Sequence, residues 1–253
     1  MKVLGIIPAR FGSSRLEGKP LLDIHGQSMV RRVYERAKQS SALHHCLVAT
    51  DHSAIAAECE QFDIPYILTS PHHLNGTERC GEVMNVVSES YDIVVNIQGD
   101  EPFIHPDSIT ELVEIFHKYP LAEIGTLIKE IDDIDILSNP GIIKVTKSLA
   151  DKALYFSRTA IPYPRDAKDI HSWLAHHIYF KHIGMYAYKA NVLQLLTQCS
   201  PTPLEEAEKL EQLRWLEHGY SIYVAKTRHE SKSIDTLEDY QYILSHFSKY
   251  THV

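Results

Sequence analysis

The sequence predicts an α/β fold: a mostly parallel sheet flanked by helices, with a small antiparallel lobe. Three observations carry this. Short apolar runs recur along the first hundred residues, at 2–8, 46–50, 64–68 and 91–97, and helical patterns separate them. Runs that are apolar on both faces belong to buried parallel strands, and β-α alternation calls for right-handed crossovers. Beyond residue 140 the alternation stops, and the segments 142–146 and 153–157 flank a polar turn at 148–152 as a hairpin would. The chain has 253 residues, 44% of them hydrophobic. That is ample for one folded unit over 1–253 with an inserted antiparallel lobe at about 142–190. No linker, repeat or low-complexity tract divides it.

The first strand, 2–8 (KVLGIIP), opens into Ala9-Arg10-Phe11-Gly12-Ser13-Ser14-Arg15-Leu16-Glu17-Gly18-Lys19-Pro20. A loop leaving the carboxyl end of a central strand sits where open α/β sheets bind ligands. Arg10, Arg15 and Lys19 have only Glu17 nearby, so they repel one another unless an anion joins them. Small residues let backbone N–H groups approach phosphate oxygens. The loop carries neither G-x-G-x-x-G nor G-x-x-x-x-G-K-[ST]. The expected ligand is therefore phosphate-like, without the usual dinucleotide or P-loop frame.

Ser28 is positioned to cap a helix over 29–38, with Met29, Val33 and Ala37 on one face. The strand 46–50 follows, then Asp51 as the cap of a helix over 53–62, then the strand 64–68. Asn75-Gly76 is a turn signal before a helix running to about Ser90. Such a helix start presents free N–H groups to an anion. The strand 91–97 ends in Gln98-Gly99-Asp100-Glu101-Pro102. If it neighbours the first strand, Asp100 is placed to hold Mg²⁺ against a triphosphate, because Mg²⁺ is bound by one or two carboxylates plus phosphates. A helix over 106–119 and a strand over 122–128 lead to the hairpin. Residues 203–218 read as one amphipathic helix, 221–225 as a strand, and 237–249 as the last helix. Asp235 stands where it would serve as that helix's N-cap.

Several segments together resemble a known family, over nearly the whole chain. IIPAR-x-x-S-S-R-L-x-G-K-P is similar to the nucleotide-binding signature of the sugar-activating cytidylyltransferases, and most closely to the branch acting on 3-deoxy-manno-octulosonate (Kdo). The family often has proline where Glu17 stands. The resemblance implies a Rossmann-like fold of the nucleotide-diphospho-sugar transferase type. It implies nucleotide contacts from Ala9, Arg10, Ser13, Arg15, Lys19, Gly76, Arg79 and Gln98, the last also reaching the sugar. Without it, Glu78 and Arg79 read equally as a surface pair.

Q-G-D-E-P matches the family motif intact. Asp235, in an I-D-T segment, falls where the family has its second metal ligand, a role compatible with capping. YFSR-x-x-IP at 155–162 implies sugar contacts from Arg158 and from Arg165 three residues on, which would grip the sugar carboxylate bidentately. H-x-G-x-Y-x-Y at 182–188 implies the same for His182 and Tyr186, although a lone histidine reads by default as a core residue. Glu211 and Gln212 sit in a match to L-E-Q-L-R, and alone would be ordinary helix polarity. Expected catalytic residues are then Arg10, Arg15, Lys19, Asp100 and Asp235, with Asp100 and Asp235 holding Mg²⁺. The implied partners are CTP and Kdo, with a homodimer through the antiparallel lobe and a place in lipopolysaccharide precursor synthesis. An enzyme for another acidic sugar of the sialic acid type, and a non-catalytic nucleotide-binding regulator, stay open as alternatives.

Composition excludes other classes. A net charge of −8 and no long basic run argue against nucleic acid. No apolar stretch reaches the length of a membrane span and no leader pattern opens the chain. Cys46, Cys59, Cys80 and Cys199 form no C-x-x-C, which suits reduced thiols in a cytoplasm. Adjacent histidine pairs are poor chelates, because neighbours on a strand point to opposite faces.

Overall fold

In a computed structural model of the protein, residues 1–12, 16–167 and 169–250 are described. The chain opens with β1 (Val3–Ala9), almost wholly buried. A small hairpin follows, β2 (Asp23–Ile24) and β3 (Gln27–Ser28). It turns through His25 and Gly26, both at positive φ, the backbone that a two-residue turn of this kind requires. Next come α1 (Met29–Ala37), β4 (His45–Thr50), α2 (Ser53–Gln61), β5 (Tyr66–Leu68), α3 (Gly76–Val86) and β6 (Ile93–Asn96). Then follow α4 (Pro106–Lys118), β7 (Ile124–Ile131), α5 (Ile134–Ser138), β8 (Lys144–Lys147), β9 (Ala153–Ser157) and α6 (Trp173–His176). The chain continues through β10 (Tyr179–Lys189), α7 (Ala190–Leu196), α8 (Pro203–Glu208), α9 (Glu211–Glu217), β11 (Ile222–Lys226) and α10 (Leu237–Ser245).

The chain forms two compact units. The first comprises Met1–Thr110, Ala187–Thr197 and His229–Val253. Its strands run in the order β5–β4–β1–β6, with β1 paired in parallel to β4 and β6, and β4 to β5. Chain order therefore reverses at β1, and the crevice at such a reversal opens at the carboxyl ends of the strands. Val3, Leu4, Ile6, Ile7, Val48, Val94 and Val95 fill the sheet, and Met29, Val33 and Ala37 of α1 are buried, as the helical spacing predicts.

The second unit comprises Glu111–Tyr186 and Gln198–Arg228, so it begins earlier than the expected lobe and gains a later segment. Here β11 and β7 are parallel, β7 neighbours β10, and the antiparallel β8–β9 hairpin joins through β8 to β10. Ile131, Leu137 and Tyr179 form a buried cluster beneath Trp173 and Leu174. No helix among the described residues is long and apolar enough to cross a membrane.

Five local expectations are corrected. The cap of α2 is His52, whose Nδ1 accepts from the Ala54 N–H at 3.1 Å. Asp51 has other partners, described below. α3 ends at Val86 rather than near Ser90, because Val87 turns to extended backbone. The predicted helix over 203–218 is two helices, α8 and α9. Lys209 turns left-handed at φ 53°, and its N–H closes α8 on the Glu205 carbonyl. The Arg158 guanidinium meets the Glu208 carbonyl at 2.6 Å and that of Lys209 at 3.5 Å, groups a continuing helix would have used itself. Finally, Thr236 rather than Asp235 caps α10. Its hydroxyl accepts from the Asp239 N–H at 3.1 Å, and Asp239 returns the bond in a capping box. The helix stops at Ser245 and a single tighter turn, Phe247–Lys249, follows.

Candidate active site

The site in the first unit is assembled from the backbone outward. At the end of β1, Ala9 is buried and Arg10 is exposed. The Phe11 N–H donates to Asp51 Oδ1 at 3.1 Å, and its ring stacks on His52 with centroids 3.9 Å apart. The loop closes where the Gly18 N–H meets the Phe11 carbonyl at 3.0 Å, with Gly18 at φ 66°, a conformation glycine adopts without strain. Ser13 and Arg15 lie outside the described residues. Lys19 then enters a short turn pinned by buried Pro20.

The second loop leaves β6. A Cβ on Gly99 would sit 2.4 Å from the Pro8 carbonyl oxygen, so only glycine lets this turn lie against the end of β1. That contact aims Asp100 at the first loop. A third segment arrives through the main chain: the Ile234 N–H donates to the Asp100 carbonyl at 3.0 Å, which sets Asp235 beside Asp100. The three side chains meet at Lys19. Its ammonium lies 2.9 Å from Asp100 Oδ2 and 3.2 Å from Asp235 Oδ1. Ser233 donates to the other oxygen of Asp235 at 3.1 Å.

Two acids and one lysine therefore meet at a single point. Two carboxylates hold one ammonium between them, which leaves a net negative charge in a half-buried place. Glu101 lies in the same field. Burial, then the charges of Asp100, Asp235 and Glu230, push its carboxyl up to about 8. A hard divalent ion needing two carboxylates and phosphate oxygens fits this all-oxygen donor set, and the Lys19 ammonium marks the point on which the oxygens converge.

Helix α3 also starts at this end of the sheet. A Cβ on Gly76 would lie 3.2 Å from Asn96 Nδ2 and 3.4 Å from Pro8 Cγ. Asn75 caps the helix by accepting from the Glu78 N–H at 2.8 Å. Arg79 is buried. It binds Asp51 Oδ2 at 2.9 Å and donates to Thr69, so it ties the ends of β4 and β5 to α3. Gln98 is half-buried, and its carbonyl accepts from the Glu101 N–H at 3.3 Å.

The remaining predicted residues belong to the second unit. Arg158 is occupied by main-chain carbonyls of Pro140, Glu208 and Lys209. Arg165 is exposed in a turn after Pro164. His182 Nε2 lies 2.9 Å from the Thr126 hydroxyl, and its ring lies 5.2 Å from Phe156 and 5.3 Å from Tyr186. Tyr186 meets Trp215 edge-on at 5.0 Å. Glu211 is half-buried at the start of α9, and Gln212 is buried. Sequence reasoning took Asp51 only as a helix cap and missed Thr69, Thr126 and Glu208, whose contacts appear only through partners distant in the chain.

Burial lowers the His182 imidazole to about 3, so it is neutral at physiological pH. Unfolded histidine titrates near 6.5, so the unfolded chain takes up this proton first as pH falls. This residue's contribution to stability is therefore complete above about 6.5 and is lost progressively below it. His182→Gln is expected to flatten the acid side of the stability profile between about pH 6.5 and pH 4, read from urea midpoints. An unchanged slope would refute the neutral assignment.

Comparison with known proteins follows this geometry. The cytidylyltransferase family matches residues 4–228. The chain is 46% identical to the 3-deoxy-manno-octulosonate cytidylyltransferase of Cytophaga hutchinsonii over 94% of this chain and 95% of that protein. It is 46% identical to the protein of the same name in Parabacteroides distasonis, over 97% and 98% of the two chains. Among solved structures, CMP:2-keto-3-deoxy-manno-octonic acid synthetase complexed with CTP superposes with a TM-score of 0.91 at 37% identity, covering 98% of this chain and 99% of that one.

Proposed function

The chain belongs to the cytidylyltransferase family, and from that premise we propose that it transfers CMP from CTP to Kdo, giving CMP-Kdo and pyrophosphate. The observation that carries this reading is the meeting of Lys19, Asp100 and Asp235 at the carboxyl end of β1. The similarity to a CTP-complexed synthetase over the full chain supports the nucleotide.

In this reading the anomeric hydroxyl of the sugar attacks the α-phosphorus of CTP in line. A new sugar O–P bond forms, the bond to the β-phosphate oxygen breaks, the hydroxyl proton passes to solvent water, and pyrophosphate leaves with the negative charge. Asp100 and Asp235 would hold Mg²⁺, which when bound lowers the hydroxyl's pKa and offsets charge on the phosphate. Arg10, Arg15 and Lys19 neutralise the β- and γ-phosphates as they depart. Amide groups of the first loop and the start of α3 orient the nucleotide. The protein's work is positioning and charge neutralisation, as in phosphoryl transfer generally. No side-chain general base is required.

The sugar falls to Arg165, His182, Tyr186, Glu211, Gln212 and Arg158. Arg165 is exposed and is assigned to the sugar carboxylate, since Arg158 already serves backbone carbonyls. Arg165→Ala is expected to raise the apparent KM for Kdo at least tenfold with the KM for CTP little changed. An unaltered Kdo KM would remove the carboxylate assignment. Exposed Leu149, Leu154 and Ile178 in the second unit support a homodimer through this region. Four free cysteines support a reducing, cytoplasmic setting, where the product would feed lipopolysaccharide synthesis.

Pyrophosphate release tests the whole reading. With CTP, Mg²⁺ and a panel of acidic sugars, release is expected with Kdo and not with sialic acid. Chelation with EDTA is expected to stop it and excess Mg²⁺ to restore it. Absence of release with Kdo would sink the assignment.

A further inference from the structure

We propose that His105, Asp107 and His229 form a second cation site, for a zinc-class divalent ion, distinct from the Asp100–Asp235 pair. One ring nitrogen from each histidine and one oxygen of Asp107 lie within 4.8 Å of one another. Asp107 Oδ2 is 3.6 Å from His105 Nδ1 and 3.8 Å from His229 Nε2. Bonds of about 2.0–2.2 Å in a tetrahedral shell hold neighbouring ligand atoms about 3.3 Å apart. Because the two rings stack with centroids 3.6 Å apart, joint ligation requires one imidazole to swing out of the stack so that both lone pairs meet at one ion.

Two features set these residues apart from scattered surface histidines. The imidazoles of His105 and His229 stack in parallel, with centroids 3.6 Å apart and planes 9° from coplanar. The second feature fixes a tautomer. The Asp107 N–H donates to His105 Nδ1 at 3.2 Å, and a backbone amide can only donate. Nδ1 therefore carries its lone pair, directed toward Asp107. A cation takes over that lone pair, and the amide turns to water at the exposed helix start.

The donor set decides the class of ion. Two imidazoles and one carboxylate, with the remaining positions open to water, suit Zn²⁺ and its neighbours better than Mg²⁺ or Ca²⁺, which want oxygen. Both histidines are half-buried and Asp107 is exposed, so an ion has access. Position gives the site a consequence. His105 follows the Asp100 loop by a few residues, and His229 opens the segment that delivers Asp235. An ion here would clasp together the two stretches of backbone that carry the catalytic acids.

The test is a Co²⁺ titration of Mg²⁺-free, nucleotide-free protein, followed by visible absorption, with Zn²⁺ as competitor. One saturable equivalent, displaced by Zn²⁺, is expected. Its affinity is expected to fall at least about tenfold in His229→Gln and in His105→Gln and to persist in Asp235→Asn. Circular dichroism of each variant confirms that it is folded. Three results overturn the site: no saturable band in the unmutated protein, an equal band in His229→Gln, or a band that disappears in Asp235→Asn.

Discussion

Asp100→Asn is expected to lower turnover by at least roughly a hundred- to a thousandfold while leaving the protein folded. The carboxylate contributes one of the two negative charges that converge on Lys19, at 2.9 Å. Asparagine keeps the shape, removes the charge, and can turn an amide NH₂ toward the cation. What remains is one carboxylate, Asp235, shared by the ammonium and any divalent ion. The backbone does not depend on that charge: the Ile234 N–H bonds the Asp100 carbonyl, not its side chain. Gly99 still packs against Pro8. Pyrophosphate release, with circular dichroism and a melting curve on the same sample, checks both halves. Near-normal turnover would take Asp100 out of the mechanism.

The largest loss of stability is expected from Arg79→Met. The Arg79 side chain is 3% exposed and its partner Asp51 11%. Removing one member of a buried ion pair strands the other in a poorly solvating place, at a cost of about 3–5 kcal/mol. Here, among the described residues, the stranded carboxylate keeps the Phe11 N–H, while Thr69 loses its guanidinium donor. Urea midpoints measure the drop. The double variant Asp51→Asn with Arg79→Met should lose clearly less than the sum of the singles, because both act through one contact. Strict additivity would mean that Arg79 stabilises the fold by some other route. The same variant probes the implied nucleotide role: a loop no longer tied to β4 and α3 should bind CTP less well.

Local signals made much of this fold readable. The parallel strands announced themselves because their apolar runs are short, uninterrupted and separated by helix-length gaps. The sequence placed Asp100 at the end of a strand beside the first loop, and its carboxylate does lie 2.9 Å from Lys19 there. Two of the failures share one cause, a partner far away in the chain. Asp51 has the type and place of a helix cap, and nothing local says that Arg79 claims it and leaves the cap to His52. The helical pattern over 203–218 is unbroken in sequence, and the break depends on Arg158 taking carbonyls from Glu208 and Lys209. Asp235 had two readings that only coordinates separate. With Thr236 capping α10, the carboxylate of Asp235 is left to face Lys19.

The hydrogen bond from Ile234 to the Asp100 carbonyl has an outcome for how this protein tolerates change. Because the spacing of the two acids rests on peptide groups, replacing Ile234 with another buried aliphatic side chain should leave that spacing alone. Inserting or deleting one residue between Ser233 and Thr236 should not. Such an edit keeps every acid in the polypeptide, yet it turns the second one away from the first. Composition would be preserved and alignment lost.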